Sequence, residues 1–405
     1  MQTISSIDIH DLINEFGSPL YIYDQAQIEK NYTYLRDTFQ SFYPNTHIHY
    51  AVKANTNIHI LNCLKTLGAG ADCSSPIELL LSKKAGFTDI LYTGNYESPH
   101  DLRTALEVAD HINLDDITSL DRLLSVGTPE IISFRINPGI GRGGFEGIVT
   151  AGSDAKFGVP YEKAYDAYKK AKDAGIKRFG IHMMTGSNNL EPYYFSEVLD
   201  KLMNIAGHVF TDLNIVPEYI DIGGGLGIPY YNEEAELNLS LTAELVSEVF
   251  REKCKKYGFG EPKLILEPGR FLVGNAGYLA TTVTAVKESY KSFVGVDAGM
   301  NVLLRPALYG AHHRIEAYST SSEQKKYNVC GQICENSDIF ARNISLPLQS
   351  EGDILTFRDA GAYGYVMASN YNNRLRPAEV LIADGKAQLI RKRETFEDVF
   401  NLMNI

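Results

Sequence analysis

The chain has 405 residues, room for about two or three domains, and its 44% hydrophobic and 22% charged content is ordinary for a globular fold. A formal net charge of −12 disfavours nucleic acid and anionic membrane as partners. The five cysteines (Cys63, Cys73, Cys254, Cys330, Cys334) form neither a CxxC nor a zinc-site spacing. They read as reduced thiols in a cytoplasmic setting, with no metal expected.

Residues 1–13 carry acidic side chains and no long apolar core, so no signal peptide is expected. No run of about 18 apolar residues offers a membrane span. From residue 25 to 266, short apolar runs alternate with helix-like stretches. The runs are His47–Val52, Ala69–Cys73, Ile90–Thr93, His111–Leu114, Ile131–Asn137, Gly180–Thr185, Tyr219–Ile222 and Lys263–Leu266. Helices such as Tyr161–Ala174 and Tyr194–Val209 fall between them. Alternation of this kind implies a parallel sheet. Eight units in roughly 250 residues suit a (β/α)8 barrel, with a doubly wound open sheet as the alternative that pattern alone leaves open. After Glu267 strand-like runs follow one another, at Gly277–Ser289, Ser292–Val296, Ile354–Arg358 and Val380–Ala383, before a helical stretch at Glu394–Met403. Residues 267–405 therefore read as an all-β domain with a terminal helix.

Tyr50-Ala51-Val52-Lys53-Ala54-Asn55 sets one lysine in an apolar, strand-like run. Such a lysine is expected to be poorly solvated, which favours the neutral amine and lets it form a Schiff base with an aldehyde. A strand-end lysine facing water is the plainer reading. In Gly223-Gly224-Gly225-Leu226-Gly227, three successive glycines let backbone N–H groups approach an anion with no Cβ in the way. Glu267-Pro268-Gly269-Arg270 offers a carboxylate and a guanidinium after a strand, a pair otherwise common as a surface salt bridge. A lone Cys334 is most often a small buried hydrophobe, and with 25 tyrosines in the chain an arbitrary tyrosine is packing.

Taken together and in order, these motifs resemble the alanine-racemase-like (fold type III) decarboxylases that depend on pyridoxal 5′-phosphate (PLP). The branch most resembled acts on diaminopimelate. Asp297-Ala298-Gly299-Met300-Asn301, Arg305-Pro306-Ala307-Leu308-Tyr309, Gly361-Ala362-Tyr363-Gly364 and Arg376-Pro377-Ala378-Glu379-Val380 extend the likeness from about Pro19 to Val399. The resemblance implies a PLP-binding (β/α)8 TIM barrel at 25–266. It also implies a C-terminal β domain at 267–405 that the segment 1–24 joins.

By the same resemblance, Lys53 carries the cofactor covalently and Cys334 protonates the substrate carbon. Asp72, His182, Gly224, Gly225, Glu267, Gly269, Arg270 and Tyr363 would bind PLP. Glu267 would face the pyridine nitrogen and Gly224–Gly225 the phosphate. Arg270, Arg305, Tyr309, Glu335 and Tyr363 would bind substrate. Arg305 would take its distal carboxylate with help from Tyr309, and Glu335 its distal amine. Cys330 lacks the partner motif and reads as structural. Cys334 would reach the neighbouring subunit's site in a homodimer.

The chain departs from the family pattern at Gln332, usually Pro, at Asn336-Ser337, usually Ser-Gly, and at Met184, where relatives often carry a His that stacks on the cofactor ring. His182 reads either as a core histidine or as a cofactor-side residue. The implied reaction is decarboxylation of meso-2,6-diaminopimelate to L-lysine and CO2. The alternative within the family is decarboxylation of another amino acid or conjugate: ornithine, lysine, carboxynorspermidine, or a siderophore or antibiotic intermediate. A non-catalytic regulatory relative is the remote alternative, disfavoured by intact Lys53, Gly223–Gly225, Glu267 and Cys334.

Overall fold

A computed structural model of the chain describes residues 3–139, 151–152, 155–319, 321–401 and 403. They form two compact units. One runs from Glu29 to Pro229 and from Ala235 to Leu272; the other takes the residues up to Ile28, Tyr230–Glu234, and the chain from Val273 onward.

The longer strands are numbered β1 to β17. β1 is Leu20–Asp24, in the second unit. In the first unit, eight parallel strands close into a barrel: β2 Thr46–Ala51, β3 Gly70–Cys73, β4 Ile90–Thr93, β5 His111–Leu114, β6 Ile131–Phe134, β7 Arg178–His182, β8 Tyr219–Asp221 and β9 Lys263–Leu266. β9 pairs back onto β2 through Leu264–Thr46 and Ile265–His47, which settles barrel over open sheet. The strands are buried almost throughout, as parallel sheets covered on the outside require. The connecting helices start where the sequence supplies caps. Ser75 caps Pro76–Ala85, which stops at a left-handed Gly86, and Ser98 and Asp101 form a reciprocal capping box on Pro99–Val108.

The predicted strand Gly180–Thr185 is corrected to Arg178–His182, so Met183 to Thr185 lie beyond it and strand alternation does not reach Met184. Among the described residues no helix is long and apolar enough to cross a membrane.

The N-terminal end of this barrel is held by a charged clasp. Asp89, just before β4, lies 3.3 Å from Nε2 of His49 and 3.1 Å from Nε2 of His111. Burial alone would raise the Asp89 carboxyl, but the hydrogen bonds from His111 and His49 override it and hold it well below the usual carboxylate range. A depressed carboxylate stabilises the fold above its unfolded pKa of about 3.9 and loses that contribution as pH falls. Asp89→Asn should therefore cost about 1.5–3 kcal/mol at neutral pH, the usual worth of hydrogen bonds to a charge. In urea unfolding, the gap between variant and wild type should shrink below pH ~4; a gap that stays constant from pH 7 to 3 would refute the clasp.

The second unit is a nine-stranded sheet. It holds β1, then β10 Gly277–Glu288, β11 Ser292–Val296, β12 Ile315–Tyr318, β13 Gln324–Cys330, β14 Ile339–Pro347, β15 Ile354–Phe357, β16 Ala378–Ala383 and β17 Lys386–Arg391. β1 lies between β10, antiparallel to it, and β16, parallel to it. Leu20 and Ile22 share one apolar core with Ile9, Leu12, Ala280, Ile354, Val380 and Ile382. The predicted helix Glu394–Met403 is a short one, Phe396–Phe400; Leu402 is outside the described residues.

Candidate active site

The C-terminal ends of the barrel strands, where (β/α)8 enzymes do their chemistry, gather a dense set of ionisable side chains. Lys53 is not within the strand: β2 ends at Ala51, and Val52–Ala54 form a single 3-10 turn. Nor is the lysine poorly solvated, as its apolar neighbours suggested. Its side chain is 41% exposed, and its Nζ donates to Asp72 Oδ2 at 2.7 Å. The turn is what lifts it out of the wall. Asp72, the last residue but one of β3, is fully buried, and its Oδ1 has no partner among the described residues. Burial and then the charge of Glu267 raise the Asp72 carboxyl, while the Lys53 ammonium pulls it back.

Three further strands each add one group. His182 ends β7, Asp221 ends β8, and Glu267 follows β9; a ring nitrogen and one oxygen from each acid lie within 4.8 Å of one another. His182 Nε2 is 3.2 Å from Glu267 Oε2, and both residues are buried. His182 is therefore bound into the ionic cluster and is not an isolated core residue. Burial would raise Glu267, but the charge and hydrogen bond of His182 and the charge of Lys53 bring it below the usual range.

The glycine turn follows directly. Gly223 and Gly225 take φ of +69° and +100°. A Cβ on Gly223 would come within 2.5 Å of the Met183 carbonyl oxygen, and one on Gly224 within 2.5 Å of that of Glu267. Only glycine fits this cradle. Met184 meets it by its sulfur, which accepts the Gly224 N–H at 3.2 Å. Beside it Arg270, also buried, opens a short helix after Gly269 and donates to Ser187 Oγ at 3.1 Å.

Two barrel residues escaped the sequence reading. Arg135 follows β6, is 7% exposed, donates to the Met184 carbonyl at 3.3 Å and stacks on Phe157. A charged residue inside the apolar run Ile131–Asn137 was the available signal. Asp221 is the other; it lay unmarked inside the predicted strand Tyr219–Ile222.

The remaining predicted residues lie in the sheet unit. Arg305, 2% exposed, opens the short helix Arg305–Tyr309. Its Nη1 is 2.9 Å from His313 Nε2, and its guanidinium sits 4.8 Å over the Tyr230 ring. His313 Nδ1 is 2.8 Å from the Arg358 carbonyl. This geometry fits a neutral imidazole that donates from Nδ1 and accepts at Nε2. Tyr363 is half-buried in left-handed backbone, φ +56°, a conformation non-glycine residues adopt mainly where a site demands it.

Cys334 and Glu335 are exposed on one loop. Asp338 shapes that loop by accepting the N–H groups of Met300 and Ile333, both at 2.7 Å. The unusual Gln332 accepts from Arg374, Asn372 accepts the Cys334 N–H at 3.0 Å, and Tyr371 donates to Glu335. The Tyr371 and Ser337 hydroxyls keep the Glu335 carboxyl below its usual range. Cys330 is half-buried with its thiol toward the Val294 carbonyl, and burial pushes the thiol up.

The donor set fits PLP. It comprises an accessible amine on Lys53, a buried carboxylate whose Oε1 lacks a partner among the described residues, and a turn stripped of Cβ atoms. Comparison with known proteins agrees. The chain belongs to the pyridoxal-dependent decarboxylases, whose pyridoxal-binding-domain model matches residues 25–274, and it is accordingly a PLP enzyme. Within that family the similarity is to diaminopimelate decarboxylases. That of Methanothermobacter thermautotrophicus is 42% identical, covering 99% of this chain and 95% of that protein. The crystal structure of the Helicobacter pylori enzyme complexed with L-lysine superposes with a TM-score of 0.91, at 33% identity, over 98% of this chain and 99% of that one. The structure of the M. jannaschii enzyme with L-lysine gives 0.92, at 33% identity, over 100% and 95%.

Proposed function

We propose that this chain decarboxylates meso-2,6-diaminopimelate to L-lysine and CO2, the last step of lysine biosynthesis. The observation that carries the reading is the 42% identity, over nearly the whole of both chains, to an enzyme named for that substrate. When bound, PLP supplies an electron sink for the charge left by departing CO2. The chain's own residues divide the remaining work. Lys53 would hold the cofactor, its amine fixed by Asp72. Glu267 would face the ring nitrogen, kept anionic by His182. Gly224, Gly225, Gly269 and Arg270 would receive the phosphate, with Tyr363 closing the set. Arg305, assisted by Tyr309, would orient the distal carboxylate, and Glu335 the distal ammonium. Cys334 would deliver the proton to the substrate carbon.

The reading divides the chain into a PLP-binding barrel, 25–266, and a β domain, 267–405, joined by 1–24. It places the enzyme in the cytoplasm, supported by five unpaired thiols. It also makes the enzyme a homodimer in which Cys334 completes the site of the partner subunit, so a C2 interface yields two equivalent shared sites.

Supplied with meso-diaminopimelate, lysine and ornithine in turn, the protein should release CO2 from the first, forming L-lysine, and at most a trace from the other two. Mixed Lys53→Ala and Cys334→Ala subunits, each inactive, should recover up to about a quarter of wild-type sites per heterodimer-forming mixture by the symmetry of a shared dimer. Cadaverine or putrescine as main product would overturn the substrate, and confirmed heterodimers without activity would overturn the sharing.

A further inference from the structure

We propose that Asp221 is a positioning residue that works as a neutral acid: it donates a hydrogen bond to Glu267 through one oxygen and anchors the glycine turn through the other. No role in the reaction described so far uses this residue. Its place is singular. It ends β8, two residues before Gly223, and β8 pairs through Asp221–Ile265 with the neighbouring strand β9, which Glu267 follows.

Asp221 is fully buried. Its Oδ1 accepts the Gly223 N–H at 2.8 Å, the bond that starts the left-handed turn at Gly223. Its Oδ2 has no partner among the described hydrogen bonds, and neither does Glu267 Oε1. Yet an oxygen of each lies within 4.8 Å of the other, and a proton on one of them is what would let the two buried carboxyls bond. Two oxygens of ionised carboxylates repel; facing carboxyls in a dry site are stable only if one of them holds a proton. The surroundings decide which. Glu267 has His182 on its other oxygen and Lys53 nearby, and both favour its anion. His182 lies within 4.8 Å of both acids but makes its hydrogen bond to Glu267; for Asp221, burial and then the charges of Glu267 and Asp72 favour the acid form.

The consequence is mechanical. One side chain ties the two ends of the cofactor cradle: the carboxylate that would face the ring nitrogen and the turn that would receive the phosphate. With its proton on Oδ2, Asp221 satisfies Glu267 Oε1 without competing for its charge, so the carboxylate is held at a fixed angle and remains anionic. The inference rests on the PLP site and not on the choice of substrate.

Asparagine tests it, because its amide oxygen can accept from Gly223 while its N–H donates to Glu267, the same pattern as the neutral acid. Holoenzyme samples of wild type, Asp221→Asn and Asp221→Ala are compared without substrate. Asp221→Asn should hold PLP within about threefold of wild type, whereas Asp221→Ala, which strands a buried carboxylate oxygen and frees the turn, should weaken PLP binding at least tenfold. Infrared difference spectra should show the carbonyl stretch of a protonated carboxylic acid in wild type at neutral pH and its loss in Asp221→Asn. Equal loss of PLP from the Asn and Ala variants, or the acid stretch surviving in Asp221→Asn, would overturn the proposal. Should Asp221→Ala fail to fold, the affinity of Asp221→Asn and the infrared band decide alone.

Discussion

Replacing Lys53 with alanine should abolish covalent attachment of PLP and lower kcat/KM by at least roughly 10²-fold, the loss that a misplaced reacting group brings, because the amine that would anchor the cofactor is gone. The variant should nevertheless fold. Lys53 is 41% exposed, so little packing is lost. Its partner Asp72 is already raised by burial and by Glu267, and without the ammonium it takes a proton instead of remaining as a buried charge. Borohydride reduction of the wild-type holoenzyme followed by peptide mapping should find the pyridoxyl group on the Lys53 peptide. Its recovery on any other lysine would remove Lys53 from the chemistry, and with it the role assigned to Asp72.

The second large effect concerns substrate choice. A substrate with two amino-acid ends of opposite hand must be told apart by its distal groups, and Arg305 and Glu335 are the charges proposed to do it. Removing one partner of a buried charged hydrogen bond costs about 2–5 kcal/mol, a loss of roughly 30- to 4000-fold in kcat/KM. Arg305→Ala should show that loss on meso-diaminopimelate and much less on any trace activity toward lysine, which lacks the distal carboxylate. The comparison between substrates matters because Arg305 also packs on Tyr230 and bonds His313, so its removal disturbs the local structure for every substrate. An equal fall on both substrates would mean that Arg305 only braces the sheet unit. Unchanged kcat/KM on diaminopimelate would return the function to decarboxylation of another amino acid.

How much of this was legible depended on whether the cue was local. The barrel strands announced themselves because parallel strands buried on both faces are short apolar runs, and Ile90–Thr93, His111–Leu114 and Lys263–Leu266 coincide with the observed limits. β13 and β14 gave no such cue: Gln324-Lys325-Lys326-Tyr327 and Arg342-Asn343 put polar side chains on partly exposed positions, and the apolar residues there are too few to show a period. The strand through Thr185 was drawn too long because Met183 and Met184 continue an apolar run after the backbone has left the sheet. For Lys53 the composition of the neighbours misled, since one 3-10 turn takes the side chain out of the wall they form. Asp72 and His182 were named by resemblance, but their partners, Lys53 and Glu267, are met only once the strands are in place. Tyr230 and His313 were not found at all: their contact with Arg305 links positions up to 75 residues apart with no motif between them.

The place of β1 has a consequence for biosynthesis of the chain. Its neighbours in the sheet are β10, more than 250 residues later, and β16, later still. Until β10 emerges from the ribosome, Leu20–Asp24 lacks both sheet neighbours and offers four apolar residues on a bare strand, the kind of edge that recruits foreign strands. The barrel sequence lies between these partners and can close on its own contacts first. The flanks of β1 are thus closed only when β16 has emerged, and a product that stops before Ala378 leaves β1 uncovered on one side.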